Sequence, residues 1–152
     1  MQEVTIICTG IIVKKDAKFI LPEDFHQREF INDLQVLYCI QQEKTCRKYY
    51  VYYDTFDWRL YNKSLVLCST AQTLLLQSLD ETTVLARATM AVPPVFLSDF
   101  PGGSLQEKIA PIIEMRALLK LFAMEAQCTP IRILNNDAKT VVRLLLEFDT
   151  LA

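Results

Sequence analysis

The sequence predicts an α+β domain in which antiparallel strands curl into a barrel and the helices pack outside it. Three observations lead there. Between Cys46 and Val92, short runs rich in Tyr, Val, Leu and Thr alternate with brief polar breaks, the signature of an antiparallel meander. Two segments keep helical apolar spacing, one after the first strand and one before the last hairpin. The chain has 152 residues, 51% hydrophobic and 22% charged, which suits one globular domain with a sizeable core and excludes disordered or low-complexity classes.

The first element, Glu3 to Val13, is a short run rich in Ile, Val and Thr and reads as a largely buried strand. Pro22 then fits the first turn of a helix, with Glu23 and Asp24 where the helix dipole favours negative charge. Phe30, Ile31, Leu34, Leu37 and Tyr38 supply its apolar stripe, so the helix is expected over Pro22 to Tyr38. Strands follow at Cys46 to Tyr53, Leu60 to Ser69, Thr73 to Leu79 and Thr82 to Val92, the last two separated at Asp80-Glu81. Pro93-Pro94 and Pro101-Gly102-Gly103 break the chain. Ser104 with Glu107 three residues on has the capping-box pattern, and the stripe from Leu105 to Phe122 predicts a second helix, kinked at Pro111. A hairpin closes the sequence, Ala126 to Leu134 and Thr140 to Phe148, around Asn135-Asn136-Asp137. Because the sequence stops directly after a strand, it is expected to be the front part of a longer protein.

Charge and cysteine usage bound the function. Sixteen Lys and Arg against eighteen Asp and Glu leave a net charge of -2, without the global basic field of nucleic-acid binders, so any anion site must be local. No apolar run approaches the ~20 residues that span a bilayer, and the N-terminus lacks a signal pattern; a cytoplasmic location is expected. Cys8, Cys39, Cys46, Cys68 and Cys128 include no C-x-x-C pair and sit mostly among apolar neighbours, so they read as buried thiols of a reducing compartment.

The run Tyr52-Tyr53-Asp54-Thr55-Phe56-Asp57-Trp58-Arg59-Leu60, Y-Y-D-T-x-D-x-x-L, resembles a hallmark of the CYTH family of triphosphate tunnel proteins. Gly103-Ser104-Leu105, Ile109-Ala110-Pro111, Arg116-Ala117-Leu118-Leu119 and Asp137 to Leu144 look like the CYTH subgroup fused to a CHAD domain, and the matched blocks cover nearly the whole chain. The resemblance implies an eight-stranded antiparallel tunnel. In active members its inner face carries acids for a divalent metal and Arg or Lys for a triphosphate, since hard cations want oxygen ligands and polyanions want facing guanidinium and ammonium groups.

Position by position, most of that lining is replaced. The family's opening E-x-E-x-K becomes Glu3, Thr5 and Ile7; L-x-L-R-x-R becomes Leu65 to Thr70, with Cys68 and Thr70 in the arginine places. The next lysine matches Gln77, and R-x-E-x-E becomes Arg87-Ala88-Thr89-Met90-Ala91. The late arginine pair falls around Cys128 and Pro130, with Arg132 nearby, and the closing acid matches Glu147, with Asp149 on the same parity. Thr5, Ile7, Thr89 and Ala91 are thereby expected to face the tunnel interior.

These matches imply a catalytically degenerate CYTH-like domain, a structural or binding module associated with polyphosphate through a CHAD partner, with no cofactor. The alternative is a metal-dependent inorganic triphosphatase or nucleotidyl cyclase, with Mg²⁺ or Mn²⁺, built on Glu3, Arg87 and Glu147. Anion binding without hydrolysis would fall to Arg87, Arg132, Arg143 and Lys139. Residue chemistry adds further expectations. Asp54, Thr55 and Asp57 suit a turn cap better than a metal site. His26, the one histidine, reads as a surface residue, since no second histidine completes a zinc set. Cys68 lacks a local base and reads as a structural thiol. The strand tyrosines Tyr49, Tyr50, Tyr52 and Tyr53 read as packing residues. Trp58 and Arg59, beside a loop, are the candidate contact patch.

Overall fold

A computed structural model describes the backbone of residues 2–9, 14–79 and 83–151 and the side chains of residues 19–79 and 83–148. Residues 10–13 of the expected opening strand and the Asp80-Glu81 break lie outside the described residues. The protein is α+β. Its strands are β1 (Gln2–Thr9), β2 (Lys14–Ile20), β3 (Cys39–Gln42), β4 (Cys46–Asp54), β5 (Leu65–Thr70), β6 (Thr73–Ser78), β7 (Val84–Thr89), β8 (Leu119–Leu134) and β9 (Thr140–Leu151), and its helices are α1 (Gln27–Leu37) and α2 (Ser104–Ile113). The strands hydrogen-bond in the order β2-β1-β9-β8-β4-β5-β6-β7, with β3 also on β8. Among the described residues that order is open at β2 and β7, and no pairing closes it into a barrel.

The chain divides into two compact units. Unit 1 comprises residues 1–48 and 125–151, and unit 2 residues 49–124. In unit 1, β1 pairs antiparallel with β2 and β9, and β3 with β8. Its core is Ile131, Ile133, Leu144 and Leu146, against which Phe30, Ile31 and Leu34 of α1 pack together with Leu21, Phe25 and Ile40. Phe25 meets Phe30 and Phe148 with ring centroids 5.3 and 6.2 Å apart, at tilted angles that suit aromatic quadrupoles.

Unit 2 is the expected meander: β4–β5, β5–β6 and β6–β7 are antiparallel. One face of it, Leu67, Leu74, Leu76 and Ala86, is buried with Leu105, Ile109 and Ile113 of α2 and with Leu60, Phe100 and Leu118. The period-two alternation of the strands and the spacing of three to four residues on α2 bring these side chains onto facing surfaces.

Several sequence expectations are corrected. Helix α1 starts at Gln27, since Pro22 instead opens a turn in which Phe25 N–H donates to the Pro22 carbonyl at 3.1 Å, and Leu37 and Tyr38 are exposed. Strands β2 and β3 were not anticipated, because Lys14 to Ile20 mixes charge with apolar residues and Cys39 to Gln42 continues the helical stripe. Ser104 is not an N-cap: Gly103 caps α2 at φ 128°, and its carbonyl accepts from Glu107 N–H at 3.0 Å. Helix α2 stops two residues after Pro111, where Glu114 takes φ 54°. From there Leu118 N–H bonds the Val95 carbonyl at 2.7 Å, the chain is drawn out as strand, and Leu119 to Phe122 open β8 instead of extending the helix. Met115, read as part of the apolar stripe, is consequently 93% exposed. Likewise Leu60 precedes β5 in a turn, and only from Leu65 does the strand begin.

Candidate functional site

In unit 2, Cys68 and Arg87 lie on the face of the strands opposite the core residues Leu67, Leu76 and Ala86. The register draws that face as a row across the strands: Tyr52 of β4 opposite Cys68 of β5, Cys68 opposite Leu75 of β6, and Leu75 opposite Arg87 of β7. Phe122 extends the row, stacked on Tyr52 with ring centroids 4.5 Å apart and planes 16° from parallel. Cys68 is 2% exposed, in keeping with a structural thiol, and its Sγ lies 4.0 Å from Gln77 Oε1. Arg87 and Thr89 are exposed on this face, and Ala91, beyond the end of β7, is exposed too; Thr89 and Ala91 are therefore not enclosed in an interior.

In unit 1 the β1–β9 ladder sets Glu3 opposite Glu147 and Ile7 opposite Arg143. The side chains of Glu3, Thr5, Ile7 and Asp149 lie outside the described residues. Arg143 is exposed. Arg132, on β8 opposite Gln41, is ion-paired with Glu43, so its charge is partly spent. Lys139 is exposed in the β8–β9 turn, which Asn135 organises: Asn135 Oδ1 accepts from Asp137 N–H at 3.1 Å and from Lys139 N–H at 2.8 Å. Arg87, Arg132, Arg143 and Lys139 are thus distributed over β7, β8, β9 and a turn.

A cluster missed by sequence reasoning surrounds Cys128, which is fully buried on β8. Burial, reinforced by the Glu147 carboxylate, pushes its thiol up to about 12, while the Lys48 ammonium opposes the shift. Cys46 also acts on this group. Cys39 and Cys46 are exposed, which corrects the reading of all the cysteines as buried. The signal that was available is local: Cys46 stands in Lys44-Thr45-Cys46-Arg47-Lys48, a basic segment.

The segment at the end of β4 is a built turn. Asp54, 3% exposed, accepts from three backbone N–H groups: Thr55 at 2.7 Å and Leu60 at 2.9 Å on Oδ1, and Tyr61 at 3.0 Å on Oδ2. Thr55 Oγ1 accepts from Arg59 N–H at 3.1 Å. The turn reading of Asp54 and Thr55 therefore holds. Asp57 Oδ2 meets Arg59 Nε at 3.0 Å and Arg116 Nε at 3.7 Å, while Arg59 Nη1 reaches Glu114 at 2.9 Å and the Ile112 carbonyl at 3.1 Å. The Thr55 hydroxyl and then Arg59 hold the Asp57 carboxyl below its ordinary value.

Arg59 is thus a clamp between the turn and the C-terminal end of α2. Trp58 alone of the expected patch is free to project: it is half-exposed at φ 55°, with Tyr61 edge-on at 6.2 Å, and Arg116 lies over the Phe56 ring at 5.1 Å. His26 is exposed at the start of α1.

Among the described residues no three His, Cys, Asp or Glu side chains converge in a way that could hold a metal ion. No helix among them is long and apolar enough to cross a membrane. No protein-family model matches this chain, and no curated protein is similar enough to pair with it.

Proposed function

We propose that this protein is a catalytically degenerate CYTH-like domain, an eight-stranded tunnel in origin, serving as a structural or binding module in the cytoplasm and associated with polyphosphate through a CHAD partner domain. One observation carries the reading. The unit 2 row runs Phe122, Tyr52, Cys68, Leu75, Arg87, and Cys68, at the place matching a family arginine, is a thiol with 2% exposure. A triphosphate needs several cations converging on it, and hydrolysis needs a metal to polarise the phosphoryl group. A row with one guanidinium and otherwise neutral, largely apolar side chains supplies neither.

The reading is tested by titrating the protein with tripolyphosphate and with long-chain polyphosphate, with and without Mg²⁺ or Mn²⁺, while following heat and phosphate release. The expected result is no metal-stimulated turnover and weak, salt-sensitive binding of polyanion that diminishes in Arg87→Ala and Arg143→Ala. A second reading, a metal-dependent triphosphatase or nucleotidyl cyclase, draws on the register that sets Glu3 opposite Glu147. Metal-dependent turnover that disappears in Glu147→Gln or Glu3→Gln would establish that reading and dismiss the first.

A further inference from the structure

Within unit 1, β4 and β8 are fixed against each other beside two cysteines. Thr45 Oγ1 and Thr129 Oγ1 are 3.2 Å apart, and Arg47 Nη1 bonds Glu125 Oε1 at 3.2 Å. From Thr45, just before β4, to Arg47, the contact on β8 moves back from Thr129 to Glu125, the second pair lying diagonally, so the two segments run antiparallel. One step forward from Thr45 and one step back from Thr129 lead in the same direction and turn both side chains to the opposite face. Those steps arrive at Cys46 and Cys128. Directly opposed residues of an antiparallel pair hold their Cβ atoms about 4.5–5.5 Å apart, a small closure away from the roughly 3.5–4.5 Å of a disulfide.

The two thiols differ in the way a redox pair requires. Cys46 is exposed and has Lys44 and Lys48 two residues to either side of it, the electropositive, accessible setting in which thiols meet oxidants. Cys128 is fully buried, its thiol donates to the Ala126 carbonyl at 3.9 Å, and the Glu147 carboxylate also acts on it. We propose that Cys46 and Cys128 are a peroxide-responsive pair that closes into a cross-strand disulfide, with Glu147 relaying the Cys128 proton.

The Cys46 sulfur attacks one oxygen of hydrogen peroxide, the O–O bond breaks, and water leaves a sulfenic acid on Cys46. The Cys128 sulfur then attacks the Cys46 sulfur. Its S–H proton passes by way of Glu147 to the departing hydroxyl, which leaves as a second water, and the S–S bond forms. Two thiols and one peroxide thus give one disulfide and two waters, the cysteines being oxidised and the peroxide reduced. Burial pushes the Cys128 thiol up to about 12, so it cannot open the sequence and it needs the adjacent carboxylate to close it. The chain passes between the units at Lys48/Tyr49 and Met124/Glu125, so the bond would tie the two strands together beside both crossings.

The test treats the intact protein with stoichiometric hydrogen peroxide, then alkylates and maps the peptides without reduction. The expected product is a Cys46–Cys128 linked peptide that has lost two hydrogen masses, with Cys46 alkylation reduced about tenfold or more and reversed by dithiothreitol. Cys39, exposed but flanked by Tyr38 and Ile40, stays alkylatable and is the internal control. In Cys128→Ala, a sulfenic acid persists on Cys46 and is captured by dimedone. Cys46→Ser, a surface change that leaves the fold alone, abolishes the link and leaves Cys128 unoxidised. Glu147→Gln slows closure by about tenfold or more without slowing sulfenic acid formation. The proposal is overturned if wild-type Cys46 accumulates as sulfenic or higher acids with no link, if the link joins Cys46 to another cysteine, or if Glu147→Gln closes at the wild-type rate.

Discussion

The two helices carry similar apolar spacing and end in different environments. Helix α2 buries Leu105, Ile109 and Ile113 to 2% exposure or less, whereas α1 has no buried residue and offers Phe30, Ile31 and Leu34 only as partly covered neighbours of the unit 1 core. The difference lies in what covers the helix from its other side. In unit 2 the segment from Val95 to Phe100 folds over α2: Gln106 Nε2 donates to the Leu97 carbonyl at 3.1 Å, Leu118 N–H returns to Val95, and Phe100 and Leu118 complete the core. Helix α1 has no such second cover among the described residues, so Val36 and Leu37 stand 84% and 70% exposed at its end. Spacing chooses which face of a helix is apolar; the number of layers around it decides how deeply that face is buried.

The largest effect that would break this comparison is a cavity in each unit. Ile109→Ala should cost about 2–5 kcal/mol, while Leu34→Ala, only half-buried, should cost about 1 kcal/mol. Urea denaturation followed by far-ultraviolet circular dichroism gives both values, and Trp58, the single tryptophan, reports on unit 2 by fluorescence. Equal losses would mean that α1 is as deeply packed as α2.

Next in size is the contrast between two turns. Asp54 is buried and holds three backbone N–H groups, so Asp54→Ala strands buried donors and should cost about 3 kcal/mol. Asn135→Ala removes two exposed turn bonds in unit 1 and should cost about 1 kcal/mol or less. A smaller change of opposite sign is expected where non-glycine residues adopt left-handed backbone. Ala71 at φ 51°, in the β5–β6 turn of unit 2, and Ala138 at φ 58°, in the β8–β9 turn of unit 1, should each gain about 0.5–1 kcal/mol on replacement by Gly. A melting-temperature loss in either variant would show that the strain is relieved by its surroundings.

The smallest effect is the acid response. Asp57, held low by the Thr55 hydroxyl and Arg59, and Asp99, held low by the Phe96 and Val95 N–H groups, are both in unit 2. A carboxyl with a depressed folded-state value contributes stability above its unfolded value that is lost as pH falls through the folded one. Between about pH 5 and about pH 2 the wild type should therefore lose more stability than the Asp57→Asn, Asp99→Asn double variant, as urea midpoints would record. Parallel pH profiles would remove these two carboxylates from the account.

Sequence reasoning reached the meander, the closing hairpin and the turn chemistry of Asp54 and Asn135 because each rests on neighbours along the chain: alternation on a strand, or a side-chain oxygen within a few residues of the N–H it accepts. It failed at the end of α2. There Leu118, Leu119 and Phe122 continue a helical stripe, and only the Val95 carbonyl and the β8 ladder, distant in sequence, outbid the helix for their backbone groups. It also failed for Arg59, whose partners Glu114 and the Ile112 carbonyl arrive from α2, and for Cys46, whose basic setting is local but whose opposite number lies on β8.

By itself, then, the sequence determined which side chains share a face and where the chain turns, since period-two and helical spacing and Asp, Asn and Gly chemistry act over a few residues. It also determined the charge inventory of each strand, because a residue type is the same in any fold. Only the tertiary structure decided which apolar faces are deeply covered, which thiols are exposed, and which charges are already held by partners. Those properties belong to pairs of segments separated along the chain, and their energies are set by burial and by hydrogen bonds that exist only once the strands have been brought together.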